Sequence, residues 1–308
     1  MGKKVRKLKS SNRLWVSEEE RYLVTANSRN TVYLYDLECG STKPIFSVKT
    51  VSNVSNYALS PDATLLAAKN TSGEIALIRV EDGEELFRNK MERREGYQIF
   101  FTEDGKQVVD LDWDGRTMVL DTGSGNHVVA DGPNIRGENG YPYVSFMNYD
   151  RFSKRIIKIV QRPDDFHDGA VLASPARPEE ISYEVIRTIR DGYIPGSVDG
   201  ISLCRGRNYY YERFDGVLVV TDKEFRELKR IPLPEDFRTY PSANIHIWAS
   251  PCDRYLLYNY MNLSVLYEAE TLKAVKAFDH DYVWSFTMIR EDSVFLLGTW
   301  EGVFCGEI

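Results

Sequence analysis

The chain is poor in the residues that most often announce chemistry. It holds only four cysteines and four histidines in 308 residues. Cys39, Cys204, Cys252 and Cys305 form no Cys-x-x-Cys pair, which excludes the usual zinc spacing. The expectation is reduced structural thiols, with Cys204 and Cys305 inside strands. His127, His167, His246 and His280 are scattered and do not by spacing make a metal cluster. There is no Gly-x-Ser-x-Gly elbow, no glycine-rich phosphate loop ending in Lys-Ser or Lys-Thr, and no His-Glu-x-x-His. No metal and no cofactor is expected.

Long apolar runs are missing as well. A membrane-crossing helix needs about 18 consecutive apolar residues, and none occurs. The start, Met1 to Lys9, is basic, but Ser10-Ser11-Asn12-Arg13 follows it rather than an apolar segment, which argues against an export signal. Arg6 stands where an N-myristoylation signal has Ser or Thr. The expected location is cytoplasmic. Asp and Glu outnumber Lys and Arg by 46 to 39, and no basic stripe is interleaved with aromatics. Nucleic acid and membrane are therefore not expected partners. No long helical pattern separates the strand-like runs, which excludes a TIM barrel or a Rossmann fold.

What is present is a repeat. A short apolar run, a polar turn and a second apolar run recur through the chain. Leu14-Trp15-Val16 leads through Ser17–Arg21 to Tyr22-Leu23-Val24-Thr25. Tyr57-Ala58-Leu59 leads through Ser60-Pro61-Asp62-Ala63 to Leu65-Leu66-Ala67-Ala68. Ile99-Phe100-Phe101 leads through Thr102-Glu103-Asp104-Gly105 to Val108-Val109-Asp110-Leu111. Ile247-Trp248-Ala249 and Thr287-Met288-Ile289 open later copies, and two blurred copies lie between. Pro fixes its own φ and donates no backbone hydrogen bond, so Ser-Pro-Asp marks a turn. A third run often ends in an acidic residue and a turn, as in Tyr35-Asp36 and Leu120-Asp121, and a more polar fourth run follows.

Spacing decides the architecture. The last residues before each first turn are Val16, Leu59, Phe101, Asn148, Leu203, Ala249 and Ile289, with steps of 43, 42, 47, 55, 46 and 40 residues. Four short strands at such intervals make a propeller blade. The expected fold is all-β: a seven-bladed β-propeller of four-stranded antiparallel blades, one domain over residues 1–308. After Ile289 the chain has room for two strands only, so a strand at Val5–Lys9 is expected to complete the last blade.

The Ser-Pro-Asp turns and the stretch Tyr35-Asp36-Leu37-Glu38-Cys39-Gly40 resemble the WD40-like and YVTN-like β-propeller superfamily over essentially the whole chain. The recurring Gly-His and Trp-Asp pairs of true WD40 repeats are absent. The resemblance therefore implies the looser propeller relatives, which include binding scaffolds and a minority of enzymes, among them sugar-lactone hydrolases. Fold alone does not choose between them.

In such a ring the connections between second and third strands and those between consecutive blades share one face. Aromatics beside charged residues recur in those connections: Trp113, Tyr143, Phe166 with His167 and Asp168, Tyr193, Tyr240, His280, Tyr282 and Trp300. These are the expected ligand or partner residues; the competing reading is that such rings fill contacts between blades. Asp164–Asp168 is read as an acidic loop. The expected function is a non-enzymatic scaffold that binds a protein or peptide. The alternatives are a channel-site hydrolase, lyase or isomerase on a small polar or carbohydrate substrate, and a small-ligand sensor. No catalytic residue is assigned.

Overall fold

The computed structural model describes residues 6–8, 13–90, 96–112, 115–130, 143–162, 165–189, 201–202, 207–213, 217–233, 245–260, 263–280 and 283–308. They form seven four-stranded antiparallel sheets. Blade 1 is β2 (Leu14–Val16), β3 (Tyr22–Ala26), β4 (Thr31–Asp36) and β5 (Phe46–Lys49). Blade 2 is β6 (Val54–Leu59), β7 (Leu65–Asn70), β8 (Glu74–Arg79) and β9 (Glu85–Lys90). Blade 3 is β10 (Gly96–Phe101), β11 (Gln107–Asp112), β12 (Thr117–Asp121) and β13 (His127–Val129). Blade 4 is β14 (Tyr143–Asp150), β15 (Arg155–Arg162), β16 (Asp165–Pro175) and β17 (Glu184–Ile189). Blade 5 is β18 (Ile201–Ser202), β19 (Tyr209–Arg213), β20 (Val217–Thr221) and β21 (Glu227–Pro232). Blade 6 is β22 (Ile245–Ala249), β23 (Tyr255–Tyr260), β24 (Leu263–Glu268) and β25 (Ala274–Phe278).

Blade 7 mixes the two ends of the chain. It comprises β26 (Val283–Ile289), β27 (Val294–Thr299), β28 (Gly302–Glu307) and, outermost, β1 (Arg6–Leu8). Arg6 pairs with Cys305, Lys7 with Phe304 and Leu8 with Val303. The expected N-terminal strand thus sits in the last blade.

The turn between first and second strands repeats one chemistry. The hydroxyl of Ser17, Ser60, Thr102 or Ser250 accepts a hydrogen bond from the N–H that opens the next strand, at Tyr22, Leu65, Gln107 and Tyr255. Three residues after each hydroxyl the backbone turns left-handed, at Glu20, Ala63, Gly105 and Asp253. Only glycine takes that conformation freely, so three of these four turns accept local strain to keep the shape. The acidic residue that closes a third strand caps the turn after it. Asp36 accepts from the Glu38 N–H, and Asp121 from the Gly123 and Ser124 N–H groups.

Second strands are buried on both faces, which is why they read as continuous apolar runs rather than alternating ones. In β7, Leu66 and Ala68 pack toward blade 1 while Ala67 packs toward blade 3. Each junction between neighbouring blades accordingly carries its own buried cluster, including blade 7 with blade 1 through Leu8, Val16, Leu23, Tyr35, Leu296 and Val303. The first strands of five blades end at the expected residues. In blade 4 the strand continues past Asn148 to Asp150, and in blade 5 Leu203 lies outside the described residues.

Candidate functional site

The two ends of the ring differ. At the end formed by the first-to-second and third-to-fourth turns, charged groups tie the blades together. Asp150 of blade 4 is wholly buried and accepts hydrogen bonds from the Tyr209 hydroxyl of blade 5 at 2.6 Å, from Ser153 Oγ at 2.6 Å and from the Phe152 N–H at 3.0 Å. Lys223 Nζ lies 3.3 Å from the same carboxylate and 4.1 Å from the Tyr209 ring centre. Burial, with Asp150 alongside, pushes the Tyr209 hydroxyl well above the ordinary tyrosine value, which holds it as a donor. Blade 6 joins blade 7 where Ser250 Oγ donates to Asp292 at 2.5 Å. Blade 7 joins blade 1 where the Arg290 N–H donates to Glu20 at 2.6 Å.

Two side chains at this end reach past two blades. Arg151, in the first turn of blade 4, donates from Nη1 to the Val16 carbonyl of blade 1. Its guanidinium lies 4.9 Å from the centre of the Trp15 ring. Lys154 reaches Glu18 of blade 1 at 3.0 Å and Glu103 of blade 3 at 3.4 Å. This end is therefore bridged by side chains from blades 1, 3 and 4; the opposite end carries the connections expected from sequence to meet a ligand.

At that opposite end, the inner strands of four blades begin with a bulge. The ladder shifts between Val54 and Asn56, Gly96 and Gln98, Val144 and Phe146, and Val283 and Ser285. Bulges re-aim a side chain at a strand end. In blade 7 the bulged residue is Trp284, half-buried. Its indole meets that of Trp300, in the β27–β28 turn, with ring centres 5.2 Å apart and planes at 83°. Trp300 remains 64% exposed. At the same end the His280 ring stacks on Phe304 of β28 at 4.0 Å and 17°. Lys7 Nζ lies 5.4 Å from the centre of the Phe304 ring. Leu263, at the start of β24 in blade 6, is exposed on the same face.

Of the residues expected from sequence, the structure places His280 on Phe304 of β28 and Trp300 in the β27–β28 turn, both at this end of the ring. Tyr143 opens β14, opposite Gln161. Phe166, His167 and Asp168 do not lie in a loop as expected. They belong to β16, as an extra segment between the ladder pairs Gln161–Gly169 and Arg162–Asp165, because the long strands of blade 4 extend pairing past the polar stretch. Trp113, Tyr193, Tyr240, Tyr282 and Asp164 lie outside the described residues. Sequence reasoning missed Trp284 and Phe304, which look like ordinary strand residues. It also missed Arg151, whose partner is more than a hundred residues away. Among the described residues no group of three or more His, Cys, Asp or Glu is placed to hold a metal ion. Cys39, Cys252 and Cys305 are free thiols.

No family model matches the chain, and no curated protein matches it. Solved structures do. The β-propeller domain of Cps50 (Swd1) from Myceliophteria thermophila aligns with a TM-score of 0.69 at 11% identity, covering 99% of both chains. Hydrazine synthase from Kuenenia stuttgartiensis aligns with a TM-score of 0.68 at 13% identity, covering 98% of this chain and 97% of that one. The chain has a seven-bladed β-propeller fold. One of these neighbours is named as an enzyme, and at such identity the likeness concerns fold alone.

Proposed function

We propose that the protein is a non-enzymatic propeller scaffold that binds a protein or peptide partner through the loop-lined end of the ring, with the Trp284–Trp300 corner as the anchor. The observation that carries this reading is the exposed Trp300 indole, held edge to face by a half-buried Trp284. A large ring already fixed in place loses little conformational freedom on binding, and such aromatics dominate the energy of interfaces. His280, half-buried on Phe304, and the exposed Leu263 stand at the same end of the ring. The reading takes residues 1–308 as one ring acting as a unit, and places it in the cytosol, where its free thiols stay reduced.

The test is a photoreactive residue placed at position 300 and, separately, at position 152 on the bridged end, where Phe152 is also exposed. The scaffold reading predicts a discrete protein crosslink from position 300 and none of that identity from position 152. Equal crosslinking from both positions defeats it.

A further inference from the structure

We infer that the Trp284–Trp300 corner recognises a basic side chain, the ammonium or guanidinium of a Lys or Arg on the partner protein. This inference rests on the scaffold reading and names the chemistry of its partner.

Cations over aromatic rings recur in this chain. Arg151 covers Trp15, Lys158 covers Tyr183, Lys223 covers Tyr209, and Lys7 lies over Phe304 in blade 7 itself. Among the described residues no Lys or Arg covers Trp300, and its ring is 64% exposed. Indole offers the strongest face of any side chain for a cation. The edge contact from Trp284 holds that face in place, so little ordering cost falls on binding.

The charge about the turn is mixed: Lys7 runs past Gly302 onto the Phe304 ring, and two carboxylates stand in the same turn and the neighbouring connection. Glu301 follows Trp300 in the turn, and Asp279 precedes His280, whose ring packs on the strand leaving that turn. Both carboxylates are exposed, and among the described residues no cation pairs with either. The chain as a whole carries a formal net charge of -7, which draws a basic segment toward it and speeds its encounter.

The experiment is fluorescence anisotropy with a short fluorescein-labelled peptide of alternating Lys and Gly, set against the same peptide with Gln for Lys, using the full chain. The inference predicts that the Lys peptide binds, that the Gln peptide does not, and that Trp300→Ala weakens binding by about 2- to 30-fold. Glu301→Gln weakens it further and reduces its salt dependence. Trp300 is exposed, so its removal leaves the core intact, and an unchanged melting midpoint checks this. No binding of the Lys peptide, equal binding of both peptides, or binding indifferent to Trp300→Ala overturns the inference. If position 300 crosslinks a discrete partner while the Lys peptide fails, the charge assignment falls and the scaffold reading stands. If crosslinking does not depend on position 300, the scaffold reading falls whatever the peptide does.

Discussion

Lys69 Nζ sits 2.7 Å from both carboxylate oxygens of Asp110, with the two side chains 0% and 2% exposed. The pair joins the second strands of blades 2 and 3. Gly96 makes room for it: a Cβ there would fall 2.9 Å from Lys69 Nζ and inside the contact distance of the Leu111 carbonyl, which is backbone and cannot swing away. Burial pushes the Asp110 carboxyl above its ordinary value, and Lys69 offsets part of that push. Removing one partner leaves an uncompensated buried charge. Lys69→Met is expected to lose about 3–5 kcal/mol in chemical denaturation. The double variant Lys69→Met/Asp110→Leu is expected to recover most of that loss, because an apolar pair of similar volume has no desolvation cost. A double variant no better than the single one contradicts this.

The bridge from blade 4 to blade 1 separates a strong contact from a weak one. Arg151→Ala removes a charged donor from the Val16 carbonyl and a cation from the Trp15 ring, and is expected to lower stability by about 2 kcal/mol. Lys154→Ala breaks ion pairs whose members are 44% to 80% exposed, and is expected to cost less than about 1 kcal/mol. Thermal melting of the two variants side by side checks the order.

Closure by β1 gives a local prediction. Leu8 is buried among Val16, Leu23 and Val303 at the junction of blades 7 and 1. Leu8→Ala is expected to cost about 2–4 kcal/mol. Hydrogen exchange is expected to speed first at the β28 amides that face β1, and only later in blades 2 to 5. Uniform acceleration around the ring argues against a clasp.

The turn carboxylates predict an acid limb. Asp62 is held below its ordinary value by the Ser60 hydroxyl and then by the Thr64 N–H and hydroxyl. Asp121 is held down by the Ser124 hydroxyl and N–H. A depressed folded-state value means the carboxylate is favoured on folding. Its contribution is present above the unfolded value of about 3.9 and is lost as pH falls through the folded one. Ser60→Ala is expected to raise the Asp62 titration midpoint in an NMR pH series and to move the acid unfolding limb to higher pH. An unmoved midpoint contradicts the assignment.

Much of the ring was legible because its signals are local. Ser60-Pro61-Asp62 marks a turn by its own hydrogen bonds, and Asp121 caps the turn that it precedes. Repetition of such units sets blade number by spacing alone. Nothing in the sequence singled out Lys69 or Asp110, whose pairing across blades depends on strand facing, which a one-residue shift reverses. His280 and Trp300 were legible as loop residues of one face. Trp284 was not, because the bulge that turns it toward Trp300 leaves no mark in composition. Phe166–Asp168 read as a loop for their polarity, while pairing in the long strands of blade 4 draws them into β16.

The central claim is that the loop-lined end binds a partner through Trp300. The most direct measurement is the affinity of the crosslinked partner, once purified, for the wild-type chain, for Trp300→Ala and for Phe152→Ala. The account predicts that Trp300→Ala weakens binding at least tenfold, a loss of about 1.4 kcal/mol, while Phe152→Ala leaves it unchanged. A partner that ignores Trp300→Ala and is lost with Phe152→Ala would place the functional surface at the bridged end and contradict the account.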